Sequence, residues 1–492
     1  MSLINVSNLT FSYDSGFDNI FEYVSFQIDS DWRLGFTGRN GRGKTTFLNL
    51  LMKKFEYSGS ISTSVSFEYF PYQVHDELMD TGEVVNTIIS GYQDWELVRE
   101  LNLLEVSNEV LYRPFSTLSN GEQTKVLLAA LFLKDNRFLL IDEPTNHLDM
   151  HGRRIVSQYL RGKSGFILVS HDRAFLDNCI DHILSINRTN IEIQKGNFSS
   201  WWHNKQLQDS MELARNEALI KDIKRLETSA ARVSNWSDRV EKSKKGTLDS
   251  GIKPDKGRIG HKSAKMMKRS KTIESRLLDA IDEKSSLLKN IESFSSLKIH
   301  PLEYHTDTLV SLEDISISYN ERMICEGVGF TIHSGDRIAL CGKNGSGKSS
   351  IARLIVGDAI PYQGIIRKGS RLRISYVSQA ASELAGNLTD YAKDFGIDQT
   401  VFKTILRKLD FSRDMFDMDM MNFSDGQKKK VMIARSLCES AHLYIWDEPL
   451  NYIDVISRIQ IEDLLKYHKL TLLFIEHDQA FCDNIATKTI LL

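Results

Sequence analysis

Two glycine-rich segments have the residue types and spacing of a phosphate-binding loop. Residues 38–45 read GRNGRGKT and residues 342–349 read GKNGSGKS. Glycines let the backbone curve so that its N–H groups face an anion, and the dipole of the helix predicted after each loop favours negative charge. The lysine would neutralise the β- and γ-phosphates of a nucleoside triphosphate, and the next hydroxyl would bind Mg²⁺. The candidate ATP-binding residues in these loops are Gly38, Asn40, Gly41, Gly43, Lys44, Thr45 and Thr46, then Gly342, Asn344, Gly345, Gly347, Lys348, Ser349 and Ser350.

Two acidic pairs follow predicted strands at equivalent places. Asp142 and Asp447 each end an apolar run roughly 100 residues after the lysine of their loop, which suits a carboxylate that holds the Mg²⁺ shell. Glu143 and Glu448 come next and are placed to polarise an attacking water. A carboxylate at such a position is alternatively a helix cap. The adjacent aspartate, the proline that follows and the repetition favour the catalytic interpretation.

A histidine also occurs twice at matching positions. His171 and His477 each follow an apolar run and precede an aspartate. A single histidine there is usually structural, but its recurrence favours a role in sensing the γ-phosphate. We therefore count both histidines among the catalytic candidates.

These motifs show that the chain contains an internal repeat. Four motif pairs recur in the same order at offsets of 304 to 306 positions, a register that chance similarity does not keep. Each copy begins with alternating apolar residues and continues as strand, glycine loop and helix. This order predicts an α/β fold with a largely parallel central sheet, present twice.

A segment of different character, residues 201–303, joins the copies. No Pro or Gly occurs from Lys205 to Arg232, and apolar residues recur at helical spacing there and again over residues 264–291. The stretch between, residues 242–260, is dense in Gly, Lys and Ser, so the segment predicts a helical hairpin. Its arms would have about 28 residues, or 40 Å, and the first would be longer if its helix continues past Trp236. From Arg232 to Arg276 there are 14 Lys/Arg and 5 Asp/Glu, against a net charge of −3 for the chain. Such a basic segment favours a polyanion contact over a plain spacer.

Composition excludes several classes of protein. The 492 residues are 41% hydrophobic and 26% charged, which indicates a globular chain of more than one domain. The longest apolar run, residues 126–133, is shorter than the 18 or so residues of a membrane span, and the N-terminus does not resemble a signal peptide. Five cysteines without C-x-x-C spacing disfavour a disulfide scaffold or a zinc ribbon.

Taken together, the motifs resemble those of the ATP-binding-cassette family. SNGEQ at 119–123 and SDGQ at 424–427 lie where that family has its signature motif. The resemblance implies that ATP binds between two head-to-tail cassettes, with the Lys44 loop facing the Ser424 signature and the Lys348 loop facing the Ser119 signature. It adds, as ATP-binding residues, Tyr13, Gln73, Ser119, Gly121, Glu122, Tyr319, Gln379, Ser424, Gly426 and Gln427. It also implies Mg²⁺ held through Thr45, Gln73, Asp142, Ser349, Gln379 and Asp447.

The match to the family pattern has gaps. The two tyrosines are alternatively packing residues at strand ends. The second copy has Leu450 where the first has Thr145, and the signatures carry Asn120 and Asp425 in place of a glycine. Both glutamates are kept, so we expect two hydrolytic sites.

Two cassettes joined by a charged helical linker resemble the ABC-F family, whose members bind the ribosomal E site. The intervals Gln73–Ser119 and Gln379–Ser424 are 46 and 45 positions, too short for the arm of the housekeeping factors. The chain is therefore most similar to the antibiotic-resistance branch, of the Lsa type. The resemblance implies ATPase domains at 1–200 and 304–492, a linker at 201–303, and a cytoplasmic, ribosome-associated monomer whose cassettes pair within the chain, with no DNA or membrane partner.

The implied activity is ATP-dependent displacement of lincosamide, pleuromutilin and streptogramin A antibiotics from the peptidyl-transferase centre. The expected partner is the 70S ribosome, with contacts to 23S rRNA and P-site tRNA. The basic residues expected to bind RNA phosphates are Lys244, Lys245, Lys262, Lys265, Lys268, Arg269 and Lys271. The alternatives are a housekeeping ABC-F translation factor and the ATPase subunit of a transporter with a separate membrane partner. A DNA-repair ATPase is disfavoured, because there a coil interrupts one cassette.

Overall fold

A computed structural model describes residues 2–13, 19–134, 136–187, 190–243, 265, 268–269, 271–273, 275–277, 301–319, 322–380 and 384–492. The chain divides into two compact units, one formed by Met1–Trp201 with Ser296–Leu492 and the other by Trp202–Ser295. The first unit contains both copies of the repeat. Within the described ranges, no helix is both long enough and apolar enough to cross a membrane.

The first copy alternates strands and helices as its sequence pattern predicts. Its strands are β1 (Leu3–Phe11), β2 (Phe21–Asp29), β3 (Arg33–Thr37), β4 (Ser58–Ser62), β5 (Ser66–Phe70), β6 (Arg137–Asp142), β7 (Phe166–Val169), β8 (His182–Asn187) and β9 (Asn190–Lys195). Its helices are α1 (Lys44–Leu51), α2 (Thr81–Ile88), α3 (Asp94–Leu103), α4 (Asn120–Phe132), α5 (Met150–Arg161) and α6 (Arg173–Cys179), with 3₁₀ turns at Asn108–Tyr112 and Phe115–Thr117.

The second copy repeats this order. Its strands are β10 (Thr308–Tyr319), β11 (Arg322–His333), β12 (Arg337–Cys341), β13 (Tyr362–Lys368), β14 (Ile374–Val377), β15 (Leu443–Asp447), β16 (Leu472–Ile475) and β17 (Lys488–Leu491). Its helices are α8 (Lys348–Val356), α9 (Leu388–Asp394), α10 (Gln399–Lys408), α11 (Asp425–Cys438), α12 (Val455–His468) and α13 (Gln479–Ile485), with 3₁₀ turns at Asp414–Asp417 and Met420–Asn422. The expected pair of α/β domains is confirmed.

Each copy places a mainly parallel sheet beside a small antiparallel one. The central sheets have the orders β5-β6-β7-β3-β8-β9, in which only β9 is antiparallel, and β14-β15-β16-β12-β17. The antiparallel sheets have the orders β2-β1-β4 and β11-β10-β13. Because helices cover both faces of a parallel sheet, its strands need continuous apolar runs, and all five residues of β15 are buried.

Strand order determines which loops share an edge. In the first copy β3, β7 and β6 are neighbours, and they lead into the glycine loop, His171 and Asp142. The second copy has the equivalent neighbours β12, β16 and β15. Since the carboxyl ends of parallel strands meet at one edge, three motifs that are distant in sequence converge there.

The first helix of the linker continues past Trp236, which is the longer of the two lengths that the sequence leaves open. Helix α7 runs from Phe198 to Ser243, and its 46 residues span about 69 Å. Residues 242 and 243, the first two of the predicted loop, are helical, and the rest of that loop lies outside the described residues. The apolar stripe of this arm is solvent-accessible, since Leu207 and Met211 are 46% and 70% exposed.

Only part of the second arm can be compared with the prediction. Residues 265, 268–269, 271–273 and 275–277 are helical, and the side chains of Lys265, Lys268, Arg269 and Lys271 are exposed. Lys244, Lys245, Lys262 and residues 244–260 of the predicted loop lie outside the described residues.

Candidate functional site

Both glycine loops wrap around the ammonium group of their own lysine. Lys44 Nζ donates to the carbonyl oxygens of Gly38 (2.8 Å) and Arg39 (3.2 Å). Lys348 Nζ donates in the same way to Gly342 (3.0 Å) and Lys343 (2.9 Å). Burial lowers the pKa of both lysines, while nearby carboxylates oppose that shift. Each ammonium is thus held at the centre of a loop that would surround phosphate.

The glycine before each lysine has a conformation that its position requires. Gly43 and Gly347 both have φ of +90°, and a Cβ at Gly43 would lie 2.5 Å from a methyl carbon of Ile20. Any other residue would be strained there and would clash. The Asn40 amide also lies near Lys44 Nζ, at 3.4 Å.

A hydroxyl and a carboxylate lie together beside each loop. Thr45 Oγ1 donates to Asp142 Oδ2 at 3.1 Å, and Ser349 Oγ donates to Asp447 Oδ1 at 3.1 Å. Burial raises the pKa of both aspartates, that of Asp447 to about 6. Hard oxygen donors that are short of compensating charge suit Mg²⁺, so the residues present fit that ion.

The two glutamates after these aspartates have similar backbones but different surroundings. Both have positive φ, +51° for Glu143 and +45° for Glu448. Glu448 Oε2 accepts from the side-chain amides of Gln379 (2.9 Å) and Asn451 (2.6 Å). Among the described residues, neither carboxylate oxygen of Glu143 accepts a hydrogen bond of adequate geometry, although the His171 ring lies close to one of them, and Gln73 is exposed.

This difference changes their proton affinity. Burial, and after it the charge of Asp142, raises the pKa of Glu143 to about 8. Burial of Glu448 is outweighed by its contacts with His477, Gln379 and Asn451, so its pKa is lowered. The pKa values of the two carboxyls are thus shifted in opposite directions.

Each histidine lies beside the glutamate of its own copy. His171 Nε2 is 3.1 Å from Glu143 Oε1, and His477 Nε2 is 3.7 Å from Glu448 Oε1. Burial and the charge of Lys44 lower the pKa of His171 well below its usual value. A neutral imidazole can still donate one hydrogen bond towards a phosphate oxygen.

The two tyrosines lie beside their glycine-loop helices. The Tyr13 hydroxyl is 2.9 Å from Thr46 Oγ1, and the Tyr319 hydroxyl donates to Ser350 Oγ at 3.4 Å. Their side chains remain 42% and 38% exposed. A flat ring at the edge of the loop is open to stacking by a purine.

The signature serines cap helices. Ser119 Oγ accepts from Glu122 N at 3.3 Å at the start of α4, and Ser424 Oγ accepts from Gln427 N at the same distance at the start of α11. Glu122 and Gln427 side chains complete reciprocal capping boxes. These helix N-termini can accept an anion.

One cavity brings residues of both copies together. It has a volume of about 1040 Å³ and lies between the first signature and the second glycine loop. Its lining includes Ser119, Gly121, Glu122, Tyr319, Asn344, Gly345, Gly347, Lys348, Ser349, Ser350, Gln379, Glu448 and His477. Motifs that are some 200 to 350 residues apart in the sequence therefore line one cavity.

The first glycine loop is in direct contact with the second copy beside its signature motif. Asn40 Nδ2 in the first glycine loop donates to the Tyr452 carbonyl of the second copy at 2.7 Å. Gly426 lies against this contact, because a Cβ there would be 2.4 Å from the same carbonyl and 3.1 Å from Asn40 Nδ2. Arg39 is 3.3 Å from Asp410 across the same boundary.

Buried ion pairs occur within each copy, and one joins the two copies. Arg153 pairs with Asp172 at 3.0 Å, and the equivalent Arg458 pairs with Asp478 at 2.9 Å. Arg173 of the first copy forms an ion pair with Glu462 of the second. Asn484 Nδ2 also donates to Glu462, at 3.1 Å.

The comparisons with known proteins agree with this geometry. The ABC transporter family model matches residues 21–146 and 325–451, which include both glycine loops and both acidic pairs. The chain belongs to this family. With two cassettes in one polypeptide and the relatives described next, it is an ATPase of the ABC-F type.

Its relatives match it over nearly its full length. It is 26% identical to the putative ATP-binding protein YdiF of Bacillus subtilis, over 100% of this chain and 80% of that protein. It is 27% identical to the ATP-binding protein Uup of Buchnera aphidicola, over 99% and 80%. It is 25% identical to the ribosome protection protein VmlR of Bacillus subtilis, over 98% and 85%.

Solved structures have the same fold. A complex of the archaeal ribosomal stalk protein aP1 with the ribosome recycling factor aABCE1 gives a TM-score of 0.64 at 19% identity, covering 98% of this chain and 87% of that one. An RNase-L inhibitor gives 0.63 at 18%, covering 99% and 87%. These similarities concern the fold of this ABC-F ATPase.

Several contacting residues of the site are not among the sequence candidates. Tyr69 donates to Asp142 at 2.9 Å, and Asn451 donates to Glu448. Asn451 was accessible to sequence reasoning, because it lies three positions after Glu448 in a repeated motif. Arg173 and Glu462 were not, because nothing in either segment indicates a partner 289 positions away.

Replacing Asp447 by Asn should stabilise the nucleotide-free protein. The folded-state pKa of about 6 exceeds the ordinary value of 3.8, so the folded state holds the proton more tightly and stability falls as the pH rises towards 6. Above that pH the ionised carboxylate costs about 3 kcal/mol, which the amide avoids. Urea denaturation at pH 8 should show a gain of about 2–3 kcal/mol, and at pH 5 about half of it.

Asp394→Asn, at an exposed position, is the control and should change little at either pH. A less stable Asp447→Asn protein at pH 8 would contradict the prediction.

Replacing Arg173 by Met should weaken the contact between the copies. Glu462 is 3% exposed, and without Arg173 its buried charge would be uncompensated, at a cost of about 3–5 kcal/mol. Adding Glu462→Leu should recover much of that loss, because the stranded charge is then gone. A double-mutant cycle by chemical denaturation measures the coupling, and strictly additive effects would refute it.

Proposed function

We propose that this ABC-F ATPase binds the ribosomal E site and uses residues 201–303 to dislodge lincosamide, pleuromutilin and streptogramin A antibiotics from the peptidyl-transferase centre. The observation that carries the proposal is the exposed basic stretch of helix in a linker between two ATP-binding cassettes. In this proposal residues 1–200 and 304–492 are the two ATPase domains, and the ribosome is bound in the cytoplasm through 23S rRNA and P-site tRNA.

Similarity to proteins with ribosome-related names supports the proposal. VmlR is named a ribosome protection protein, and it aligns with 98% of this chain. Other relatives of similar identity are named only as ATP-binding proteins. The part of the proposal that concerns antibiotics therefore rests on the linker and on the missing arm between Gln73 and Ser119.

Electrostatics of the linker supports a nucleic-acid partner. Lys265, Lys268, Arg269 and Lys271 are exposed on helical backbone, and they belong to a segment with a large excess of positive charge. Such side chains gain affinity for phosphates by releasing counterions, which makes the binding dependent on salt. Lys244, Lys245 and Lys262 are proposed to extend this contact.

ATP would couple the cassettes to the linker. In the second site Lys348 and the Ser119 signature line the same cavity, so a bound triphosphate would be contacted from both copies. Thr45 and Asp142 in the first site, and Ser349 and Asp447 in the second, would hold Mg²⁺, with Gln73 and Gln379 completing the shell. When bound, that ion neutralises phosphate charge. Glu143 and Glu448 are proposed to accept the proton of the attacking water.

Replacing Glu143 and Glu448 together by Gln should trap the protein on ribosomes with ATP, because the closed state can no longer hydrolyse its nucleotide. Co-sedimentation with 70S ribosomes measures the complex. Adding Lys265→Glu, Lys268→Glu, Arg269→Glu and Lys271→Glu should weaken it at least tenfold in moderate salt, since phosphate contacts become repulsive.

The matched control reverses four exposed cations of the second cassette, Arg322, Lys393, Arg413 and Lys466, to Glu. This variant should still co-sediment. Equal loss in both charge-reversed proteins would show that net charge matters and the linker does not. If the Glu143/Glu448 variant does not bind 70S ribosomes in any nucleotide state, the proposal fails although the ATPase assignment stands.

Expression of the chain should raise the inhibitory concentration of a lincosamide and a pleuromutilin at least fourfold, because both drugs occupy the region that the linker is proposed to reach. The double Gln variant should give no such protection. Ribosome binding without any change in susceptibility would favour the housekeeping translation factor instead. Recovery only in the membrane fraction would favour the transporter subunit.

A further inference from the structure

A fully buried lysine joins two loops of the second ATP site. Lys429 on α11 is 1% exposed, and its Nζ donates to the carbonyl oxygens of Ser378 (2.8 Å), Glu448 (3.1 Å) and Asp447 (3.5 Å). The three protons of the ammonium group are thereby matched by three backbone acceptors. A buried lysine needs such partners, because burial alone disfavours its charge.

These carbonyls belong to the segments that carry the reacting groups. Ser378 precedes Gln379, whose amide donates to the Glu448 carboxylate. Glu448 itself has φ of +45°, a strained conformation for a residue with a side chain. Lys429 therefore holds the main chain of Glu448 in place and keeps the Gln379 segment beside it.

A buried carboxylate accompanies the lysine. Glu476 is 3% exposed and is the largest source of attraction for the Lys429 charge. Its Oε1 accepts from Leu450 N (2.7 Å) and its Oε2 from His477 N (3.2 Å). The lysine and the carboxylate together connect three segments of this site through the backbone, at Ser378, at residues 447–450 and at His477.

The first site is built differently at the same positions. The repeat aligns Lys429 with Thr124, Leu450 with Thr145 and Glu476 with Ser170. There the Thr145 and Ser170 hydroxyls are 3.2 Å apart. A charged pair in the second copy thus occupies the place of small hydroxyl side chains in the first.

We propose that Lys429 is a positioning residue for ATP hydrolysis at the second site, acting through the backbone of Asp447 and Glu448. The inference rests on the proposed role of Glu448 in hydrolysis. Lys429 makes no described contact with the Lys348 loop, so its removal should change turnover and leave nucleotide affinity nearly unchanged. The Gly342 and Lys343 carbonyls hold Lys348 independently.

The test measures hydrolysis by the full chain with one site silenced. In a Glu143→Gln background, where turnover comes from the second site, Lys429→Met should lower kcat at least tenfold and change KM for ATP less than threefold. Lys429→Arg should recover kcat to within threefold of the parent, because a guanidinium donates to the same carbonyls. In a Glu448→Gln background, Lys429→Met should leave kcat within twofold.

A second variant distinguishes a positioning role of Lys429 from the effect of leaving the buried Glu476 carboxylate without a partner charge. Lys429→Met with Glu476→Gln leaves no unpaired buried carboxylate, and it should show the same loss of kcat. Lys466→Met, at an exposed position, is the matched control and should be neutral.

The outcomes are decisive in each case. Unchanged kcat in the Glu143→Gln background overturns the proposal, and so does an equal loss in both backgrounds, which would indicate general damage to the fold. If Glu143→Gln alone abolishes all hydrolysis, the proposed role of Glu448 in hydrolysis is wrong, and the Lys429 proposal that rests on it is wrong with it. That result can be distinguished from a failure of the Lys429 proposal alone, because it is seen in the Glu143→Gln protein before Lys429 is changed.

Discussion

Attraction between a buried ammonium group and buried carboxylates at the end of a parallel sheet is the interaction on which both ATP sites depend. Burial lowers the pKa of Lys44 and raises that of Asp142, so each charge is costly alone. Together at one strand edge they partly compensate each other. Because the free carbonyls of a glycine loop also accept from the lysine, the charges are held before phosphate arrives.

Compensation of buried charges also extends across the boundary between the copies. Asp454 of the second copy is the carboxylate that attracts Lys44 most strongly, and Lys430 pairs with Asp454 at 2.8 Å. The first site is thus completed electrostatically by the other cassette. The Arg173–Glu462 pair adds a buried contact at the same boundary. Charge compensation therefore contributes to the contact between the two copies within one chain.

The sequence predicted the elements of each site better than their contacts. The glycine spacing and apolar runs located both loops and the strands that end at Asp142 and Asp447, because local backbone requirements determine them. The sequence predicts the first linker helix from residue 205, with an end at 232 or beyond Trp236, and the helix runs over Phe198–Ser243. Its earlier start includes the buried Phe198 and Trp201, whose burial depends on the tertiary fold. Pairs such as Lys429 with the Ser378 carbonyl depend on the tertiary fold, and no local pattern indicates them.

The surroundings of the two glutamates differ between the copies. At neutral pH the carboxyl of Glu143, with a pKa of about 8, is largely protonated, whereas that of Glu448 is ionised. A general base must be ionised to accept a proton from water. Glu448 accepts hydrogen bonds from the amides of Gln379 and Asn451, whereas Glu143 has no equivalent amide donor among the described residues. The different pKa shifts of the two carboxyls therefore follow from which polar side chains surround each glutamate.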